Sequence, residues 1–460
     1  MDLVIKNGTV VTESASIRAD VGIRGGKIVA IAEKMERGGN SIDAAGKYVF
    51  PAGVEIHTHI DAVLFGMRTV DDWYVSSVGA AFGGTTTIVD YNMQGQNQAL
   101  RETINEYSER ARGKSIVDYS FSPIINQFTE ETYREIPVLI NDGITTFKTF
   151  LYYNWKVSDY DLARVLDTVG KHGGIVGIHC ETAGTIDYLI NRAISEGNTG
   201  PRWHATTRPV STEVESSSRA LSVAGEIGAP LFIVHISAGP VVEELARAKA
   251  RGVMAYGETM PHYLCLDNNE YLKPGYEPMK CVITPPIRSK DHQDALWAGL
   301  RSGVISTVGC DHCAFPYKDK IRLFESQGHT FNKIPHGAPG IETRIPLLFS
   351  EGVQKGKISL MKFAEVTAAN PAKLTGLYPR KGTIAVGSDA DITIIDPEKE
   401  VTLSQAMLHG KTDYTPFEGF KVKGYPVTTL CRGTVLVENG KLLAQSGHGE
   451  FLKREKFIPF

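Results

Sequence analysis

Six cysteines in 460 residues are too few and too scattered for a disulfide framework, so Cys180, Cys265, Cys281, Cys310, Cys313 and Cys431 read as reduced thiols. A surplus of one charge is missing as well: 49 Lys plus Arg face 52 Asp plus Glu, a formal net charge of -3. Without a basic excess, nucleic acid and anionic membrane are poor candidate partners, and small neutral or weakly polar molecules fit better. No window approaches the roughly 18 uninterrupted apolar residues of a membrane span. The opening MDLVIKNGTVV breaks at Lys6-Asn7-Gly8, where a signal peptide needs its apolar core, so a cytoplasmic location is expected. Gly113-Lys114-Ser115 resembles the end of a phosphate loop, but the glycine that motif requires is replaced by Ser108, and no G-x-S-x-G elbow occurs. Phosphate cradling and serine-nucleophile chemistry therefore lose their simplest support.

What is present is the profile of a globular protein: 42% hydrophobic, 22% charged and 9% aromatic residues. At roughly 150 residues per domain the length suggests about three domains, yet α/β barrels often exceed 200 residues as one unit. The first fifty residues alternate β-branched runs (3–5, 21–23, 27–31, 48–50) with glycine turns, which predicts a small antiparallel sheet. The same texture returns at 382–396 and 427–438, so both ends are expected to build one β-domain. Between them, apolar runs at 54–59, 85–90, 117–121, 144–150, 175–179, 231–235, 253–258 and 304–311 alternate with helical stretches such as 158–172 and 240–251. Eight βα repeats predict an α/β fold of the TIM (β/α)8 type, with its site at the C-terminal strand ends. An open doubly wound sheet is the alternative, without a glycine fingerprint to support it.

The strand ends carry the chemistry. His57-Thr58-His59 closes the first, and residues two apart on a strand share a face, so both imidazoles are expected to point inward. With 13 histidines in 460 residues, chance supplies roughly 0.4 such pairs, so the motif alone decides little. The fifth strand ends in His179, the sixth in His235 and the eighth in Asp311, which puts metal-binding groups at the same end of four strands. Each histidine alone would read as a hydrogen-bonded core residue; together they read as a metal site. Lys148 occupies the corresponding position on strand four. An ammonium beside divalent cations would be repelled, so this lysine must point away, be neutral, or be converted by CO2 into an anionic carbamate. On residue type alone a surface-facing or ion-paired lysine is the ordinary reading. Cys310-Asp311-His312-Cys313 matches C-x-x-C without a second pair and reads as structural or incidental.

Taken in order, VIKNGTVVT, KYVFPAGVEIHTHID, GGTTTIVD, GITTFKTF, APLFIVHIS, ITPPIRSK, CDHCAF, PAKLTGLYPRKGTIAVGSDADITIIDP and CRGTVLVENG resemble the cyclic amidohydrolases of the D-hydantoinase and dihydropyrimidinase family over nearly the full chain. The resemblance implies a TIM-barrel catalytic domain (51–378), a composite β-sandwich from 1–50 and 379–441, and a tail (442–460) that is either a subunit contact or a loosely ordered end. It implies two divalent metal ions, usually Zn2+ with Mn2+ as an alternative. His57, His59 and Asp311 would hold one, His179 and His235 the other, and Lys148 as N6-carboxylysine, its carbamate derived from CO2, would bridge them. A hydroxide shared by the metals would attack the ring carbonyl, with Asp311 as general base and then acid and Tyr153 donating to the oxyanion. Thr284 and His336 would hold the amide edge of the substrate. The implied products are N-carbamoyl amino acids, and the implied assembly is a homo-oligomer, tetramer or dimer.

Two departures bear on substrate choice. His336 stands where the family usually has Asn, and TFLYYNWKV follows Lys148 in place of a VFMAYK type of run, adding Tyr152 and Trp155. Val63, Leu64 and Phe65 with Phe150, Tyr152 and Trp155 offer apolar surface for a ring substituent. Dihydroorotase-type enzymes place Arg two residues after the H-x-H motif to pair with a carboxylate; here that residue is Asp61. Allantoinase or another cyclic amidase is the rival enzyme reading. A non-enzymatic scaffold relative is the rival of another class, although all six ligand positions carry suitable residues.

Overall fold

The computed structural model describes residues 1–35 and 39–460. Eight strands, Gly53–Glu55, Thr85–Met93, Asp118–Ile124, Thr146–Phe150, Ile175–His179, Leu231–Ile233, Ala255–Thr259 and Thr307–Val308, line up in sequence order as one sheet. Every neighbouring pair is parallel. The parallel bridge Thr58–His312 joins the segments that follow the first and last strands, with His59 N–H donating to the His312 carbonyl at 2.8 Å. The arrangement fits a TIM barrel, and it matches the eight apolar runs. The first strand stops at Glu55 and the last at Val308, so the chemistry-bearing residues beyond them lie in irregular backbone.

The crossover helices form for local reasons. In Asp159–Lys171, the Ser158 hydroxyl caps the Asp161 N–H at 3.1 Å, Asp159 and Asp161 complement the first turn, and Leu162, Val165, Leu166 and Val169 make the buried stripe. The predicted 240–251 helix is Gly239–Ala250. At the barrel end opposite the site, Val54, Val89, Ile175 and Phe232 pack with Leu374, Leu377, Leu452 and Phe457. The closing segment is held there by its backbone: Leu452 N–H donates to Tyr119 at 2.7 Å, Arg454 to Gly143 at 3.0 Å and Phe457 to Gly173 at 2.8 Å. The tail is thus part of the floor of its own barrel, not a loose end.

Two further sheets accompany the barrel. Lys27–Ala32, Asp20–Arg24, Leu3–Lys6 and Asn40–Asp43 form one; Lys441–Leu442, Thr434–Glu438, Lys421–Cys431, Ile392–Thr402, Tyr48–Pro51, Thr9–Val11 and Ser16–Arg18 form the other. The expectation of one antiparallel N-terminal sheet is corrected in two respects. Leu3–Lys6 pairs in parallel with Asn40–Asp43, and Tyr48–Pro51 leaves that sheet to pair with Ile392–Thr402. The reason is a shared core: Ile5, Val21 and Ile28 pack with Val49, Ile392 and Leu430, and burying both apolar faces outweighs hairpin adjacency.

An ion network joins barrel to sheet. Lys381 Nζ, fully buried, lies 2.6 Å from Asp118, 2.7 Å from Asp391 and 3.1 Å from Asp389. Burial works against its charge, but Asp391 and Asp389 raise its pKa above the usual lysine value. Asp118, Asp391 and Cys431 also cluster closely enough to hold a metal; the lysine ammonium already supplies the cation there. Among the described residues no helix is long and apolar enough to cross a membrane. Lys381→Met leaves the buried Asp391 without a cation among the described residues, while Asp118 keeps Arg432 and Asp389 keeps Lys27 and Arg380; it is expected to cost about 3–5 kcal/mol, read as a lowered midpoint in thermal or urea unfolding, and an unchanged midpoint would show the network to be dispensable.

Candidate functional site

Past the first strand, buried carboxylates shape the backbone where the ladder no longer does. Glu55 Oε1 accepts from His57 N–H at 2.8 Å and from Cys310 N–H at 3.3 Å, and its other oxygen faces Arg344 Nε at 3.0 Å. Asp90 Oδ1 accepts from the Thr58 hydroxyl at 2.6 Å and from Ile60 N–H at 2.9 Å. Thr58 is thereby tied outward while His57 and His59 turn into the site, ring centroids 5.7 Å apart. The two imidazoles do share a face, but side-chain hydrogen bonds rather than strand alternation put them there. His235 and Asp311 also lie beyond their strands, at φ of +43° and +49°, a left-handed backbone that costs a non-glycine residue roughly 1–3 kcal/mol and persists only where surroundings impose it.

All six predicted ligands converge. His57 Nε2 lies 2.7 Å from Lys148 Nζ and 3.3 Å from Asp311 Oδ1; His59 Nε2 is 3.3 Å from the same oxygen. His179 Nδ1 is 2.9 Å from His235 Nε2, and the His57 and His235 rings are 5.3 Å apart. Burial, reinforced for His57 by Lys148 and for His235 by His179, lowers the pKa of these imidazoles and keeps them neutral; His59 is lowered too, chiefly by burial. Burial alone would raise the Asp311 pKa, but His57, His59 and Lys148 hold it well below the usual carboxylate range. Lys148 is 1% exposed, faces the Tyr91 and Phe150 rings at 4.3 and 5.1 Å, and is pushed down to about 8 by burial. Among the described residues it has no carboxylate within salt-bridge distance, so the surface or ion-paired reading of this lysine fails.

The donor set suits divalent cations. One ligand atom each from His57, His59 and Asp311 lies within 4.8 Å of the others, and the buried Nδ1 atoms of His59 and His235 have no hydrogen-bond partner. Neutral imidazoles plus an ionised carboxylate are the ligand forms such ions require. Cys310 is not a fourth class of ligand: its thiol donates to the His57 carbonyl at 3.6 Å, and burial raises the pKa of both Cys310 and Cys313.

A small pocket of about 50 Å³ opens above these groups. Leu64, Phe65, Met93, Phe150 and Trp155 form an apolar wall, and Tyr153, Thr284 and His336 form a polar edge. His336 Nδ1 lies 3.2 Å from Tyr153 Oη and 2.8 Å from Thr284 Oγ1. Burial raises the Tyr153 pKa well above that of a free phenol, leaving a proton to donate. The predicted wall needs two corrections. Val63 is 49% exposed on a surface hairpin, and Tyr152 packs with Ile186 and Ile190, its hydroxyl accepting from Arg208 at 2.9 Å. Met93, from the second strand, was not anticipated. Asp61 pairs with Arg68 at 2.6 Å on the hairpin and does not line the pocket. Also missed were Glu258, 2.6 Å from His57 Nδ1, and Glu181, 2.9 Å from His179 Nε2. An acid ending an apolar strand was the available signal for Glu258.

A barrel with histidines and an aspartate gathered beside a buried lysine at its strand ends belongs to a recognisable class of hydrolase. The chain is a member of the amidohydrolase family, whose family model matches residues 48–436. It is 43% identical to the D-hydantoinase of Ralstonia pickettii over 460 residues, 99% of this chain and 100% of the relative. It is 42% identical to the D-hydantoinase of Rhizobium radiobacter over 462 residues, again 99% and 100%. The crystal structure of dihydropyrimidinase from Brevibacillus agri NCHU1002 is 41% identical and superimposes with a TM-score of 0.97, covering 100% of both chains. Membership implies a binuclear divalent metal site. Elemental analysis of the purified protein should find about two divalent ions per chain, since one catalytic zinc uses only three or four protein ligands; full activity with a single ion would contradict the binuclear arrangement.

Proposed function

We propose that this chain hydrolyses the ring amide C–N bond of hydantoins or dihydropyrimidines, giving N-carbamoyl amino acids. The observation that carries the reading is the convergence of His57, His59, His179, His235 and Asp311 on a buried lysine with, among the described residues, no carboxylate within salt-bridge distance. His57, His59 and Asp311 would hold one ion, and His179 and His235 the other. Lys148 gives up its proton readily, and the neutral amine adds CO2: an N–C bond forms, a proton leaves, and N6-carboxylysine places an anion where an ammonium would repel both cations. Imidazole-rich donors suit Zn2+, with Mn2+ acceptable to the oxygen ligands. When bound, the ions supply Lewis acidity and bring the pKa of water toward neutrality.

The protein's own groups account for the remaining steps. Asp311, ionised at neutral pH, takes the proton of the attacking water and returns it to the departing ring nitrogen, so that a C–O bond replaces the C–N bond. Tyr153 donates to the carbonyl oxygen as negative charge develops. The backbone around Thr284 and His336 holds the amide edge of the ring. The two β-sheets are read as one composite sandwich of 1–50 and 379–441 beside a catalytic domain of 51–378, with 442–460 as its tail. Ile458 and Phe460, 75% and 49% exposed, support a homo-oligomer in which the tail meets a neighbour.

The apolar wall favours a neutral cyclic ureide with an apolar substituent, and among the described residues no guanidinium lines the pocket to meet a carboxylate. Measured side by side, kcat/KM is expected to be higher for 5-phenyl- or 5-alkylhydantoin or dihydrouracil than for allantoin and L-dihydroorotate. Faster turnover of either of the last two than of every hydantoin and dihydropyrimidine would overturn the assignment. Lys148→Ala should lose most metal and activity, with partial rescue by short carboxylates. Lys148→Arg should fail equally, because a guanidinium supplies no anionic ligand. Normal metal content in the Ala variant would show the lysine to be structural.

A further inference from the structure

Each half of the candidate metal site contains one imidazole whose outer nitrogen meets a buried carboxylate. His57 Nδ1 lies 2.6 Å from Glu258 Oε2, and His179 Nε2 lies 2.9 Å from Glu181 Oε2. Both glutamates are 0% exposed. In each ring the other nitrogen faces the cluster: His57 Nε2 is 2.7 Å from Lys148 Nζ, and His179 Nδ1 is 2.9 Å from His235 Nε2. A carboxylate can only accept from an imidazole N–H, so it selects the tautomer protonated on the outer nitrogen and leaves the lone pair on the inner one.

The remaining two imidazoles lack this support. The Nδ1 atoms of His59 and His235 are buried with no hydrogen-bond partner among the described residues, so no carboxylate orients these two rings from their outer side. The glutamates are also anchored into the fold: Glu258 accepts from His235 N–H at 3.3 Å, and Arg208 Nε stands 3.8 Å from Glu181 Oε1.

We propose that Glu258 and Glu181 are positioning residues, one for each half of the metal site, and that each sets the affinity of its half by fixing the tautomer and rotation of one histidine. This rests on the reading of His57, His59, Asp311 and of His179, His235 as two ligand sets. The test strips the purified protein of metal and titrates it with Zn2+ against a chromophoric chelator, reading both binding steps and the thermal midpoint of the apo form. Removal of such an outer partner typically costs 10- to 100-fold in metal affinity. Glu258→Leu and Glu181→Leu should each weaken one Zn2+ by about that factor, and the Gln variants, which keep an acceptor but lose the charge, should fall between wild type and Leu. The double Gln variant should weaken both steps.

Unchanged affinities in all variants would overturn the proposal, as would a lowered apo midpoint with wild-type Zn2+ binding, the signature of a purely structural role. Equal weakening of both ions in every single variant would overturn the assignment of one carboxylate to each half. If a Leu variant fails to fold, the nearly isosteric Gln variant decides. Failure of the wild type to bind two Zn2+ would count against the metal-site reading itself.

Discussion

An amine buried among imidazoles at the mouth of the barrel is the constraint on which the site depends. Lys148 is enclosed by His57 and the rings of Tyr91 and Phe150, with burial weakening its hold on a proton, down to about 8. A charged ammonium there would repel any cation held by the surrounding histidines, and a neutral amine would waste a central ligand position. The proposed conversion to a carbamate would remove both difficulties, because it would reverse the sign of the charge and add two oxygens at the place where the imidazoles and Asp311 converge.

That position is held by carboxylates tied into the barrel wall. Glu55 and Asp90 fix the irregular segment after the first strand. Arg344 binds Glu55 and also donates to the Val308 carbonyl at 2.9 Å and to Thr85 Oγ1 at 3.1 Å. One guanidinium thus links the closing strand, the second strand and the acid behind His57. Left-handed backbone at His235 and Asp311 is tolerated because neighbours on several strands over-determine it. The stability of the barrel and the geometry of the ligands are in this sense the same set of contacts, made far from the apolar floor that the C-terminal segment seals.

The pocket wall separates reaction from specificity. On the proposed reading the ligand cluster and Tyr153 would serve hydrolysis of a polarised carbonyl, whereas Leu64, Phe65, Met93, Phe150 and Trp155 would limit what can project from the ring. His336 lies at the junction, touching both Tyr153 and Thr284, so the residue that departs from the usual Asn would act on the proposed oxyanion donor as well as on the proposed substrate edge.

The sequence by itself determined the eight apolar runs, the helices between them and the identities of five of the six converging residues. Periodicity, caps and residue type at a strand end are written in windows of a few residues, which is why His57, His59, His179, His235, Asp311 and the register of the Ser158-capped helix were legible. Only the tertiary structure decided that Lys148 faces inward, that Met93 joins Leu64 and Phe65 in the wall while Val63 and Tyr152 do not, and that Tyr48–Pro51 joins a C-terminal sheet. It alone brought Glu258 to His57 across 201 residues of chain. Contacts of that separation depend on how strands close into a ring and on which faces share a core, and no local pattern of residues encodes them.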